Sequence, residues 1–288
     1  MKVSKTVREV RSAVADARRA GARSVGFVPT MGALHPGHYS LIDAARRGCD
    51  FVVVSIFVNP TQFAPDEDYR RYPRTIEADL AGCEAHGVDA VFAPAAEEMY
   101  GAGSCTTVHV SGPAEGMEGG CRPGHFDGVC TVVAKLFNIV APDVAYFGAK
   151  DYQQAAVVRR MAADLDLPPR IEVCPTVREP DGLAMSSRNA YLSPEERRQA
   201  PALLAALRLG ERLLREGRAD ACDLADAMRR HIAENAPLAS VDYVEIVDPV
   251  TLASVQTIRG AVVAALAVRF PSVRLIDNMR MDPSPAGR

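Results

Sequence analysis

Five short apolar runs fix most of what this chain can fold into. They are SVGFVPT (24–30), DFVVVSIFVNP (50–60), VDAVFAP (88–94), DVAYFGAK (143–150) and RIEVCP (170–175). Each has the length of a strand, and none reserves one face for polar side chains. A strand that is apolar on both faces needs cover on both, which indicates a parallel sheet between two helical layers. The cover lies in the intervening sequence, in stretches such as TIEADLAGCEAHG (75–87) and FDGVCTVVAKLFNIVAP (126–142). Val7, Val10 and Val14 put a further amphipathic helix ahead of the first run. The expected class is α/β, a Rossmann-like doubly wound parallel sheet, in which ligands bind beyond the carboxyl ends of the strands. The Gly-rich segment SGPAEGMEGGCRPGHF (111–126) is too irregular for an element and is expected to be a loop over that edge.

The pattern changes after about residue 176. Ser193-Pro-Glu-Glu196 is a capping box with proline at the first helical position. Leu203, Leu207 and Leu214 follow near helical spacing, and Leu224, Met228 and Ile232 mark a second helix. SVDYVEIVDP, GAVVAALAVRF and VRLIDNMRM then read as strands. We expect two domains, 1–176 and a smaller C-terminal α+β domain, 177–288.

Composition narrows the function classes. A net charge of −3 gives no basic surplus to displace the counterions of a nucleic acid. The seven cysteines are odd in number and form no C-x-x-C pair, which argues against a disulfide scaffold or a structural zinc site and for a reducing cytoplasm. The N-terminus lacks the continuous apolar core of a signal peptide, and no segment has the length of a membrane span. The expectation is a soluble cytoplasmic protein with no nucleic-acid or membrane partner.

Two of the six histidines stand three apart in FVPTMGALHPGHYS (27–40), where the first run ends and a helix should begin. His35 and His38 on one helical turn face the same way, and Pro36-Gly37 permits a tight entry. Helix-start N–H groups favour anions. The plain alternative is a polar pair that caps a helix; the doubled H-x-G-H arrangement makes a phosphate site the better reading. Asn59 and Gln62 follow the second run, and Gln154 lies past the fourth. Their amides suit a small hydroxy acid, needing a donor for a carboxylate and an acceptor for a hydroxyl; Asn59-Pro60 is also a common turn starter. Asp79 is open between a helix-surface carboxylate and a Mg²⁺ ligand. His125 is read as holding its loop, and Cys121 is not needed as a nucleophile.

PTMGALHPGH, NPTQF, YPRT, RPGHFDGV, FGAKDYQQ and MSSRNAYL, in this order over nearly the whole chain, resemble the pantothenate synthetase family of the H-x-G-H nucleotidyltransferase superfamily. The resemblance implies an ATP-dependent condensation of pantoate with β-alanine through pantoyl adenylate, with Mg²⁺, in a cytoplasmic homodimer whose small domain is a lid. It implies an ATP site of Met31, Gly32, Ala33, Leu34, His35, Pro36, Gly37 and His38, with both histidines on the phosphates and His38 the proton donor. It adds Gly148, Ala149, Lys150 and Asp151, with Lys150 at the phosphates and Asp151 at the ribose. Ala149 departs from the glutamate more common in the family, while the spacing of Lys150 and Asp151 is kept. Val177 is implied to pack on adenine, and Met185, Ser186, Ser187 and Arg188 to close over pyrophosphate. Without the resemblance, GAKD would be a surface turn and MSSR a polar linker with capping character. Gln62, Gln154 and Asn59 are implied to hold pantoate, and Arg122 to serve the amine step or a domain contact.

Overall fold

The computed structural model describes residues 1–65 and 67–283. The chain divides into two compact units. One comprises Met1–Ala114, Arg122–Ala149 and Gln154–Thr176; the other comprises Glu115–Cys121, Lys150–Gln153 and the chain from Val177 onward.

The first unit is built on six parallel strands, β1 (Lys2–Ser4), β2 (Val25–Thr30), β3 (Phe51–Ile56), β4 (Ala90–Phe92), β5 (Val144–Gly148) and β6 (Arg170–Cys174), in the order β1-β4-β3-β2-β5-β6. The five apolar runs form β2 to β6. The edge strand β1, too short to show a period, is an addition to the sequence reading. Its helices include α1 (Val7–Arg19), α2 (Pro36–Gly48), α3 (Ile76–Ala85), α4 (Ala96–Met99) and α6 (His125–Val140), and most of α7 (Tyr152–Asp164).

Alternation along the strands shows why both faces are apolar. Val25, Phe27, Val53, Ala90, Phe92, Ala145 and Phe147 enter one core with side chains of α1, α6 and α7. Val28, Val52, Val54, Val91, Val144 and Tyr146 enter another with Leu41, Ile42 and Ala45 of α2 and Cys83 of α3. Burying a large aliphatic or aromatic side chain contributes about 1.5–3 kcal/mol, so two such layers hold the sheet rigid. From β2 the chain winds outward through β3 and β4, then returns to lay β5 on the other side of β2. That reversal is the topological switch point, and the crevice beyond the strand ends there is where such sheets take ligands. Gly26 pairs with Val144 and Phe27 with Ala145, so β2 and β5 run side by side toward that edge.

The second unit carries α8 (Pro194–Gln199), α9 (Ala202–Arg215) and α10 (Ala221–Asn235), with an antiparallel sheet of β7 (Ser240–Val247), β8 (Val262–Arg269) and β9 (Arg274–Met281). Leu203, Leu207, Leu214, Leu224, Met228 and Ile232 all enter its core. Ser193 and Glu196 form the expected capping box. The 111–126 segment is not all loop: Met117–Cys121 form a short helix, α5. Its anchor is Glu118, which accepts from Tyr243 Oη at 2.9 Å and Arg274 Nη1 at 2.7 Å. Those partners lie so far along the sequence that no local pattern announces them.

Candidate active site

The loop between β2 and α2 is shaped from within. Thr30 Oγ1 donates to the Ser55 carbonyl at 2.7 Å and accepts the Gly32 N–H at 3.2 Å. Gly32 and Ala33 then take φ values of 85° and 50°. A side chain at Gly32 would put its Cβ 3.0 Å from Asp79 Oδ2. Ala33 carries the roughly 1–2 kcal/mol that left-handed backbone costs an L-residue, and Asp79 offsets it. Its carboxylate accepts Ala33 N–H at 3.0 Å, Leu34 N–H at 2.8 Å and Thr75 Oγ1 at 3.2 Å. Asp79 is 2% exposed, so it is not a helix-surface residue. With three donors already on its two oxygens it fits a loop anchor rather than a Mg²⁺ ligand. Among the described residues no group of three or more His, Cys, Asp or Glu stands ready to hold a metal ion. A Mg²⁺ here would be held chiefly by substrate phosphates, the usual manner for this ion.

His35 is the N-cap of α2, its Nδ1 accepting the Gly37 N–H at 3.1 Å, and His38 Nδ1 accepts the His35 N–H at 3.3 Å. The ring centroids are 4.1 Å apart, so the two imidazoles are brought together and also cap the helix. A backbone N–H can only donate. Both Nδ1 atoms are therefore bare, and each neutral ring carries its proton on Nε2. The helix-start N–H groups that sequence offered to a phosphate are already in use, since those of His38 and Tyr39 donate to the His35 carbonyl at 2.8 and 3.1 Å and Pro36 has none.

Beyond β3, Asn59 is 1% exposed and engaged at both ends of its amide. Nδ2 donates to the Gly128 carbonyl at 3.1 Å and to Gln62 Oε1 at 3.1 Å; Oδ1 accepts from Tyr100 Oη at 2.8 Å and from Thr61 Oγ1 at 3.0 Å. The Gly128 carbonyl can only accept, which fixes the orientation of Asn59. Asn59 in turn fixes Gln62: its oxygen faces Asn59 and its NH₂ turns out toward Met31 Sδ, a weak acceptor at 3.1 Å. Gln62 thus presents a hydrogen-bond donor. The turn can lie this close to α6 only because Gly128 has no side chain, since a Cβ there would come 2.4 Å from the Thr61 carbonyl oxygen.

Arg122 and His125 back the same turn. Arg122 pairs with Glu67 at 2.6 Å and meets His125 Nε2 at 3.1 Å, while His125 Nδ1 contacts the Gln62 carbonyl at 2.9 Å. Burial opposes the Glu67 charge, but the Arg122 guanidinium prevails and holds its carboxyl below the usual range. Gln154 lies partly buried on α7. Gly148 and Ala149 stand at the end of β5, beside β2. The sequence reading has His125 holding its loop, but the support given by Asp79 and Arg122 had no sequence signal, because their partners are backbone groups or distant side chains.

The remaining candidates fall in the second unit. Lys150 Nζ lies 3.3 Å from Asp151 Oδ1, and the Lys150 carbonyl accepts from Asn278 Nδ2 at 2.7 Å. Val177 and Met185 come together, the Met185 N–H donating to the Val177 carbonyl at 3.0 Å beside an Arg178–Ala184 bridge. A bidentate pair of Arg178 with Asp277, at 2.7 and 3.0 Å, holds that hairpin to β9. Ser186 caps the turn Ser187–Tyr191 by accepting the Arg188 N–H at 3.3 Å. All seven cysteines are free. Burial pushes the Cys121 thiol up despite Arg274 nearby, and Cys83 and Cys130 up to about 12, a direction unsuited to a nucleophile.

A parallel sheet with a two-histidine helix start at its switch point defines an α/β enzyme of the H-x-G-H kind. The comparisons narrow the class. Residues 2–280 match the model of the pantoate-beta-alanine ligase family. Pantothenate synthetase of Acidobacterium capsulatum is 52% identical over 296 residues, covering 99% of both chains. That of Moorella thermoacetica is 54% identical over 282 residues, covering 98% of this chain and 99% of its own. The crystal structure of the Thermus thermophilus enzyme superposes with a TM-score of 0.93 at 48% identity, covering 98% of this chain and 100% of that one. A pantoate-beta-alanine ligase from Francisella tularensis, complexed with "Beta-gamma ATP" and β-alanine, gives a TM-score of 0.78 at 34% identity, with 97% of each chain covered. The chain belongs to the pantoate–β-alanine ligase family, and it is an enzyme, a pantothenate-forming ligase.

Proposed function

We propose that the chain joins pantoate to β-alanine in two steps on ATP, through an enzyme-bound pantoyl adenylate. A carboxylate is a poor electrophile because its leaving group would be oxide. In the first step a pantoate carboxylate oxygen attacks the α-phosphorus, the bond to the β-phosphate oxygen breaks, and pyrophosphate leaves. In the second the β-alanine amine attacks the acyl carbon, the carbon–oxygen bond to phosphate breaks, and AMP leaves as the amine sheds its proton. The first step needs charge neutralised along the triphosphate and little covalent help. Mg²⁺ accompanies ATP as part of the substrate and neutralises phosphate charge.

The observation that carries this reading is the pair of neighbouring cap imidazoles, each accepting a backbone N–H at Nδ1 so that its proton sits on Nε2, in a chain matched over residues 2–280 by ligases of this kind. In the proposal His35 and His38 donate to the phosphates, His38 also as proton donor, and Met31 to Leu34 with Pro36 and Gly37 line the nucleotide. Gly148, Ala149 and Lys150 serve the phosphates, Asp151 the ribose and Val177 the adenine. Met185, Ser186, Ser187 and Arg188 follow the departing pyrophosphate. The donor end of Gln62, with Gln154, holds pantoate. Asn59, engaged within the protein at both ends, holds Gln62. The domain 177–288 acts as the lid, and the working form is a cytoplasmic homodimer. No described helix is long and apolar enough to cross a membrane. The test is catalytic turnover: AMP, and not ADP, should accumulate only when pantoate and β-alanine are both present. ADP formation, or turnover without pantoate, would overturn the reading.

A further inference from the structure

We infer that His125 is a positioning residue for the substrate amide of Gln62, locked in one tautomer by Arg122, and takes no part in proton transfer. The inference rests on the proposed role of Gln62 in holding pantoate. Two contacts determine the ring. A guanidinium can only donate, so Nε2 of His125, 3.1 Å from Arg122 Nη1, must be bare. A carbonyl oxygen can only accept, so Nδ1 of His125, 2.9 Å from the Gln62 carbonyl, must carry the proton. Each contact alone selects the same tautomer, and it is the reverse of that in His35 and His38. Glu67 fixes the other end of the chain, accepting Arg122 Nε at 2.6 Å and Nη2 at 2.7 Å.

The chain Glu67–Arg122–His125 ends on the backbone of the residue whose side chain Asn59 orients. Gln62 is therefore held at two points, its carbonyl by His125 at 2.9 Å with Arg122 at 3.4 Å beside it, and its amide oxygen by Asn59. A second proton on His125 would point an N–H at a guanidinium, so the ring is unsuited to shuttle protons. Arg122, paired with Glu67 and held against His125, also reaches the Gln62 carbonyl itself, its Nη2 donating at the longer distance of 3.4 Å.

The test compares His125→Ala with His125→Asn, whose side-chain NH₂ takes the place of Nδ1–H. Loss of one buried hydrogen bond is worth about a factor of ten. His125→Ala should raise KM for pantoate by about that factor, with kcat less affected and KM for ATP unchanged, and His125→Asn should restore most of the loss. The pH profile of kcat should keep both limbs in each variant. Imidazole NMR of the substrate-free enzyme should find His125 protonated at Nδ1. A lost limb, an Asn variant as poor as Ala, equal rises in KM for all three substrates, or a proton on Nε2 would each overturn the inference. Gln62→Ala separates the two layers. If it raises KM for pantoate and His125→Ala does not, only the positioning role fails. If neither does, the assignment of pantoate to Gln62 fails, and the positioning role with it.

Discussion

The backbone N–H of His35 donates to the Nδ1 of His38 across 3.3 Å, so the second histidine of the motif closes the helix turn that the first one caps. One contact thus ties the start of α2 to the tautomer of a ring that the proposed chemistry needs. In the proposed function, structural and chemical roles, which the sequence posed as alternatives, occupy the two nitrogens of the same side chain.

Separate substitutions should divide those roles. His38→Asn keeps an acceptor near the Nδ1 position and removes the Nε2–H. It should melt close to the parent protein while adenylate formation falls about 10²–10³-fold, the scale for losing one charge-stabilising donor. His38→Ala should lose the same rate and, in addition, about 1 kcal/mol of stability with the cap. Single-turnover assays should show the opening of preformed adenylate by β-alanine less affected in both. Equal damage to the two half-reactions would remove His38 from the first step.

Asp79 gives a contrast between anchor and metal ligand. Asp79→Asn must turn its NH₂ toward a donor, because three donors surround the carboxylate. We expect a loss of about 1–3 kcal/mol in chemical denaturation and a higher KM for ATP as the 31–34 loop loosens. The Mg²⁺ concentration giving half-maximal rate should not move. A large rise in that concentration would restore Asp79 as a metal ligand.

At Gly128 the constraint is steric. Gly128→Ala places a methyl 2.4 Å from the Thr61 carbonyl oxygen, against backbone that cannot turn aside as a side chain would. Overpacking of this kind costs about 1–3 kcal/mol, and displacement of the turn should weaken pantoate binding more than ATP binding. An alanine variant with unchanged Tm and unchanged KM for pantoate would show that the turn is not held as described.

How much of this was legible follows from what kind of signal each feature carries. Val25, Phe27 and Val28 record the sheet because burial on two faces is written into composition. His35 and His38 record the helix start because a cap acts over three residues. Asp79 meets N–H groups more than forty residues away, and Glu118 meets Arg274 at a separation of 156. Backbone acceptors and donors have no residue type, so a carboxylate that serves them looks like any other acid in a helix.

Acid sensitivity should be visible in the second unit. Burial works against the charge of Glu196, yet hydrogen bonds from the Ser272 side chain and the Ser193 and Ser272 N–H groups prevail and hold its pKa down to about 2. A carboxyl depressed in the folded state stabilises it above the unfolded value of 4.5 and loses that contribution as pH falls toward about 2. Glu196→Gln should therefore lower Tm at neutral pH, with the difference from the parent protein shrinking below pH 4.5. A difference that stays constant through that window would rule out the charged form as the source.

The most direct measurement is mass spectrometry of the enzyme quenched after incubation with ATP, Mg²⁺ and pantoate, with β-alanine withheld. A mixed anhydride of pantoate and AMP should appear with an equal amount of pyrophosphate, and should vanish into pantothenate and AMP when the amine is added. Acyl phosphate with ADP, or product formed from β-alanine with no acyl-nucleotide preceding it, would contradict the account.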